Sequence, residues 1–236
     1  MLTVIAEKKN ISENKIIIDN KLDCGHIQNV YRLQINDEVR AIDGEFEYLT
    51  KILSISKREV ILEIIKKIKD NYSLDVNVDI AIGILKNDKM NLAIQKLTEI
   101  GVNKIIPLKT KRVVVKINEK KEKWEIVVRE ALKQCRGVKF PEISEIKKIC
   151  EIDYKKYDKI IFAYENSKNS KSILDLVNET DKNILCIIGP EGGITEDEAL
   201  FLKEKNACEI SLGVRILRAE TAAIVVAGVI SNLKLK

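Results

Sequence analysis

Histidine is nearly absent from this 236-residue sequence: His26 is its single copy, and the five cysteines (Cys24, Cys135, Cys150, Cys186 and Cys208) are scattered with no C-x-x-C pair. A structural zinc site needs about four such ligands at close spacing, so none is expected, and dispersed thiols fit a reducing cytoplasm. No apolar run approaches the ~18 residues that a membrane-spanning helix requires. The amino-terminal MLTVIAEKKN meets its first charge within seven residues, which predicts neither a signal peptide nor a membrane anchor. Neither G-x-G-x-x-G nor G-x-x-x-x-G-K-[ST] occurs, so dinucleotide and P-loop triphosphate binding lack their fingerprints.

What is present is an ordinary globular composition, 45% hydrophobic and 33% charged, which excludes disordered, collagen-like and coiled-coil chains. The charge balance is mildly basic, 41 − 36 = +5. Lysine, isoleucine and asparagine abound while proline and tryptophan are scarce, a bias that AT-rich coding produces by itself. The excess charge therefore does not identify a polyanionic partner. A chain of this length accommodates one large domain or two unequal ones.

Periodicity favours two. From Thr3 to Ile68, short apolar stretches (KIIID, VYRLQI, EVRAID, YLTKILSI) alternate with N-K, N-D and D-G turn signals, which predicts a small all-β unit. VILEIIKKIKD, Val60 to Asp70, is lysine-rich yet dense in β-branched residues and closes a strand series, so a strand is predicted there. The polar break at Asp70–Ser73 marks a boundary, giving domains 1–70 and 71–236. Beyond it, β-type runs alternate with amphipathic ones: VNVDIAIGIL, NLAIQKLTEIG, KIIPL, EKWEIVVREALKQC, KIIFAYE, SILDLVNE, NILCIIG, EDEALFLKEKNA, CEISLG and ETAAIVVAGVISNL. That alternation predicts an α/β unit with a parallel sheet flanked by helices. Gly101 is placed to cap one helix, and Thr195 with Glu198 forms an S/T-x-x-E capping box.

Parallel sheets bind ligands outside the carboxyl ends of their strands, which directs attention to two segments. After ILCIIG comes Gly189-Pro190-Glu191-Gly192-Gly193, whose glycines let backbone turn tightly and approach a ligand in front of a capped helix. An ordinary strand-to-helix turn is the alternative. After CEISLG comes Leu212-Gly213-Val214-Arg215-Ile216-Leu217-Arg218-Ala219-Glu220-Thr221-Ala222, two arginines and a glutamate at the mouth of an apolar helix. The alternative there is a solvated loop whose charges merely cap the helix.

Taken together, IIGPEGGITEDE and, about twenty residues later, LGVRILRAETAA resemble the RsmE family of SPOUT-class RNA methyltransferases. HIQNVYRLQINDEVRAIDGE resembles that family's amino-terminal PUA-like β-barrel domain. KNDKMNLAIQKLTEIGVNKIIPLKTKRVVV and WEIVVREALKQC resemble two blocks of its catalytic domain. The resemblance implies a SPOUT-type trefoil-knotted α/β domain, a homodimer, S-adenosyl-L-methionine as cofactor, and methylation of N3 of a uridine in small-subunit (16S) ribosomal RNA. Knotting would break the general rule that chains do not thread loops.

Carried over residue by residue, the resemblance assigns the cofactor to Gly189, Glu191, Gly192 and Gly193 on one side and to Leu212, Gly213, Ile216, Leu217, Arg218, Thr221 and Ala222 on the other. Uracil N3 carries a weakly acidic proton on the pairing edge, so an anion-stabilising donor is needed. Arg218 is the first choice, because guanidinium can donate two hydrogen bonds to a carbonyl. Glu191, Glu220 or a water molecule is the candidate base. RNA contacts are assigned to Arg32, Lys111, Arg112, Gln134 and Arg136. One departure stands out: the family's arginine follows its glutamine by three residues, whereas here Arg136 follows Gln134 by two and Gly137 takes the usual place. No metal is implied, since methyl transfer from a sulfonium is a displacement. A related methyltransferase acting on transfer RNA or a ribose 2′-hydroxyl, and a non-catalytic PUA-type RNA-binding module, are the competing readings.

Overall fold

A computed structural model describes residues 1–167 and 170–234. It divides into two compact units, Met1–Ser73 with Arg129–Phe140, and Leu74–Val128 with Pro141–Lys236.

The first unit is built on a five-stranded sheet of β1 (Leu2–Ile5), β2 (Lys15–Ile18), β3 (Glu38–Ile42), β4 (Phe46–Ile55) and β5 (Val60–Lys69), in the order β1-β3-β4-β5-β2. Only β1 and β3 run parallel; the other pairs are antiparallel. Val60–Lys69 is the strand that its β-branched residues predict, with Val60 and Leu62 fully buried beside Val39, Ile16 and Ile52. At the β3–β4 turn, Gly44 adopts φ +93° and Asp43 accepts hydrogen bonds from the Glu45 and Phe46 amides.

VYRLQI does not form the predicted strand. Helix α1 (Lys21–Gly25), capped by the Asn20 side chain, runs on into a helical turn at His26–Val30. The chain then passes through left-handed residues at Arg32 (φ +51°) and Asn36 (φ +76°). Two such residues prevent the continuous extended backbone that a strand needs.

Arg129–Phe140, within the 71–236 stretch of the sequence, groups with the first unit. Three contacts hold it in the first unit. Lys133 Nζ lies 2.6 Å from Asp23 Oδ1, and both side chains are buried. Arg40, buried and paired with Glu47, donates from Nη2 to the carbonyl oxygens of Arg136 (2.7 Å) and Gly137 (3.4 Å). Phe140 packs over Gly44, where a β-carbon would meet its ring at 3.2 Å.

The second unit has an all-parallel sheet ordered β11-β9-β10-β6-β7-β8. Its elements are β6 (Asn77–Gly83), α2 (Asn87–Ile100), β7 (Lys104–Leu108), α3 (Glu122–Gln134, shared between the units), β8 (Glu142–Ile143), β9 (Lys159–Ala163), β10 (Asn183–Ile188), α4 (Glu196–Glu204), β11 (Cys208–Ile210) and α5 (Ala219–Leu233). Central β10 is buried from Ile184 to Ile188, as a strand covered on both faces should be. One face of the sheet packs Ala81, Ile106, Phe162, Leu185 and Ile187 against Ala199 and Leu202 of α4. Helix α5 lies against α2, β6 and β10. Gly101 closes α2 at φ +91°, and the Thr195–Glu198 capping box opens α4.

SILDLVNE yields only a single tight turn at Ile173–Asp175. Just before it, Lys171 bonds to the outer edge of β11, its amide to the Glu209 carbonyl and its carbonyl to the Ser211 amide. The Ser172 side chain then accepts from the Leu174 amide and caps the short turn.

Candidate active site

The glycines after β10 answer three separate steric demands. A β-carbon on Gly189 would lie 2.9 Å from the Gly193 carbonyl carbon, one on Gly192 would lie 2.9 Å from Arg112 Cβ, and one on Gly193 would lie 2.0 Å from Glu165 Oε1. Gly193 also has φ +74° and donates its amide to the Pro190 carbonyl at 2.8 Å, which closes the turn. L side chains fit neither that conformation nor those approaches. A fourth glycine, which sequence reasoning missed, supports the loop from behind: at the end of β6, Gly83 faces Pro190 so closely that a β-carbon would stand 2.4 Å from the proline nitrogen.

The second wall follows β11. Gly213 takes φ +111°, and the loop then presents Val214 and Ile216 almost fully exposed before Arg218 opens α5 as its N-cap residue. Between the walls lies a cavity of about 640 Å³, within the ordinary size range of small-molecule sites. Gly189, Glu191, Gly192, Gly193, Leu212, Gly213, Ile216, Leu217, Arg218 and Ala222 all line it.

Two expected residues do not line the cavity. Thr221 is exposed on α5, and Glu220 is only 6% exposed, with Oε2 lacking a hydrogen-bond partner among the described residues. Its place in the first turn of α5 puts its charge at the favourable end of the helix dipole. Glu220 thus lies outside the cavity lining. Glu191, exposed, does line it, with Oε1 3.4 Å from Lys89 Nζ. Lys89 and Glu165 line the cavity as well. No sequence signal marks either, since α2 and the β9 end carry no glycine motif.

The residues expected to meet RNA fall in both units. Arg32, Gln134 and Arg136 are exposed in the first. Arg136 has φ +55°, and the buried Arg40 anchors its carbonyl. The early arginine thus comes with a left-handed kink that redirects the chain at that point. In the second unit, Lys111 and Arg112 brace the glycine loop and α4: Lys111 Nζ lies 2.6 Å from Asp197, its amide bonds Glu198 at 2.8 Å, and Arg112 Nη1 donates to the Gly192 carbonyl at 2.9 Å. The Asp197 carboxylate, hydrogen-bonded and ion-paired to it, holds the Lys111 ammonium above its ordinary pKa. Among the described residues no cluster of His, Cys, Asp and Glu could hold a metal ion, and no helix is long and apolar enough to cross a membrane.

The parallel sheet carries a glycine loop after β10 and an arginine loop after β11, with β9 between those strands, and the comparisons place this architecture among the RNA methyltransferases. Residues 73–231 match the family model of the RNA methyltransferase domain, and residues 25–65 match that of the RNA methyltransferase PUA domain. The ribosomal RNA small subunit methyltransferase E of Bacillus subtilis (strain 168) is 33% identical over 237 residues, 95% of this chain and 93% of that protein. Its namesake from Rickettsia conorii is 34% identical over 218 residues, 91% and 88% of the two chains. The crystal structure of a ribosomal RNA small subunit methyltransferase E from Neisseria gonorrhoeae bound to S-adenosyl methionine superposes with a TM-score of 0.87, covering 99% and 98% of the chains at 24% identity. The chain belongs to the ribosomal RNA small subunit methyltransferase E family, a SPOUT-type α/β fold with a PUA-like amino-terminal domain.

Proposed function

We propose that this protein transfers the methyl group of S-adenosyl-L-methionine to N3 of a uridine in 16S ribosomal RNA. The observation that carries the reading is the cavity at the ends of β10 and β11, walled by Gly189–Gly193 and by Leu212–Arg218, in a chain of this family. The donor fits that wall. Leu212, Ile216, Leu217 and Ala222 offer apolar surface for a purine, and the glycine loop admits close backbone approach. The donor supplies an electrophilic methyl carbon on sulfur.

The residues of the chain do the rest. N3 must lose its proton, and its electron pair then attacks the methyl carbon as the carbon–sulfur bond breaks toward sulfur. Arg218, exposed at the cavity mouth, donates hydrogen bonds to the uracil carbonyl on which negative charge collects. Glu191 or a water molecule accepts the proton. A base whose pairing edge reacts must be unpaired or extruded, and Arg32, Lys111, Arg112, Gln134 and Arg136 hold the surrounding RNA. On this reading residues 1–70 serve RNA, and 71–236 carry the chemistry and add the further RNA contacts just named, with no metal.

The reading includes the family's trefoil knot and a homodimer in the cytoplasm. Support for the dimer comes from α5, which buries Ala222, Ala223, Val226, Ala227 and Ile230 on one face and leaves Val225 exposed and Ile224 and Val229 half-covered on the other. The test is nucleoside mass spectrometry of 16S ribosomal RNA from cells lacking the gene. Loss of 3-methyluridine, restored by the gene, supports the function, and an unchanged nucleoside profile contradicts it.

A further inference from the structure

Three strand ends frame the cavity, and the two glycine-bearing loops account for only two of them. In the sheet β9 lies between β11 and β10, so a ligand held at once by the loops after β10 and β11 must pass over the carboxyl end of β9. That end is Ala163-Tyr164-Glu165, and all three residues line the cavity.

Glu165 lies closest to the glycine loop, with Oε1 in the space that a side chain on Gly193 would need. Its exposed side chain makes no hydrogen bond or ion pair among the described residues. The neighbouring carboxylates differ. Glu191 is paired with Lys89 at 3.4 Å, and Glu209 on β11 is held by Lys203 at 2.7 Å and Ser167 at 2.5 Å. Lys203 and Ser167 outweigh the upward push of burial and hold Glu209 below its ordinary pKa. A carboxylate left unpaired on the floor of a cavity is available to a cationic ligand group, and filling the cavity displaces the water that otherwise screens it.

Resting on the reading that the cavity takes S-adenosylmethionine, we propose that Glu165 recognises the positive charge of the donor's methionyl end, which carries a sulfonium and an ammonium. Glu165 is then a donor-binding residue that favours the charged donor. The sulfonium loses its charge when the methyl group leaves, so a contact with it also favours release of the product.

The test is calorimetry on the full chain and on Glu165→Gln and Glu165→Asp, with three ligands. S-adenosylmethionine has both charges, S-adenosylhomocysteine keeps only the ammonium, and 5′-methylthioadenosine has neither. Because Glu165 is exposed, the ligand-free melting temperature of the variants should match that of the wild type. Glu165→Gln is expected to weaken donor binding by about tenfold or more, the scale of a lost charge-assisted contact, and to leave methylthioadenosine within about twofold. Glu165→Asp, which keeps the charge, should retain more of the donor's affinity. A loss confined to the donor assigns the contact to the sulfonium; a loss shared with S-adenosylhomocysteine assigns it to the ammonium. Equal weakening of all three ligands, or an unaffected donor, overturns the proposal. Failure of the wild type to bind the donor at all would instead reject the function on which it rests.

Discussion

Gly83 and Pro190 touch backbone to backbone at the ends of two neighbouring strands, β6 and β10, leaving no room for a single β-carbon between them. The seat of the glycine loop is therefore set by a residue outside it. Gly83→Ala must push Pro190 outward or bend β6. The expected cost is that of overpacking, about 1–3 kcal/mol, or roughly 2–10 °C in Tm for a chain of this size. Donor affinity should fall by more than that stability loss explains, because the displaced segment is the binding wall. Calorimetry beside a thermal melt checks this; an unchanged donor Kd would show that the loop is seated by other contacts.

The ion pair between Lys133 and Asp23 supplies a second expectation. Both side chains are buried, so removing one partner leaves an uncompensated charge. Lys133→Met should destabilise the protein by about 3–5 kcal/mol, and Asp23→Asn added to it should recover a large part of the loss. Burial pulls the Lys133 pKa down, but the hydrogen bonds and charges of Asp23 and Glu130 outweigh it, and the net shift is upward from 10.5. The stabilisation is thus fully present below the unfolded value and is lost as pH rises through the higher folded one. The stability gap between wild type and Lys133→Met should narrow above pH 10.5, as denaturant titrations across alkaline pH would show. A gap that stays constant as pH rises through that range would contradict the assignment.

Donor binding has its own signature. At about 100 times Kd a ligand adds about 2.7 kcal/mol, a rise in Tm of roughly 5–10 °C here. S-adenosylmethionine should give it, while NAD and ATP should not. A shift with either nucleotide and none with the donor would reverse the reading of the cavity.

Much of this architecture was legible beforehand, for reasons that particular residues make clear. The alternation that defines the parallel sheet, the capping box at Thr195 and the glycine loop at Gly189–Gly193 are local signals, each needing only a few neighbouring residues. What stayed hidden depends on distant partners. Gly83 reads as the ordinary end of a strand until Pro190 is seen against it. Glu165 reads as one more surface carboxylate until the order β11-β9-β10 places it between the two loops. Arg129–Phe140 continues a helix of the second unit, and only the contacts of Asp23, Arg40 and Gly44 draw it into the first. Glu220, one residue into α5, is indistinguishable by sequence from a cavity-facing acid; helix phase turns it inward.

Arg218 separates chemistry from binding. If its guanidinium stabilises an anion that exists only near the transition state, Arg218→Ala should slow single-turnover methylation by about 10²–10³, the scale of one lost oxyanion donor. Donor affinity should change much less, and Arg218→Lys should recover little, because an ammonium cannot reproduce the planar fork. Parallel losses in donor affinity and rate would make Arg218 a loop-closing residue instead.

The central claim is that the cavity delivers a methyl group to uridine N3 in small-subunit ribosomal RNA. Its most direct measurement uses purified protein, methyl-labelled S-adenosylmethionine, and either 16S ribosomal RNA or assembled small subunits, with the RNA then digested to nucleosides and separated. The account predicts label in 3-methyluridine alone, appearing about 10²–10³ times more slowly with Arg218→Ala. Label in a 2′-O-methyl nucleoside, in transfer RNA added as competitor, or in no nucleoside at all would contradict it.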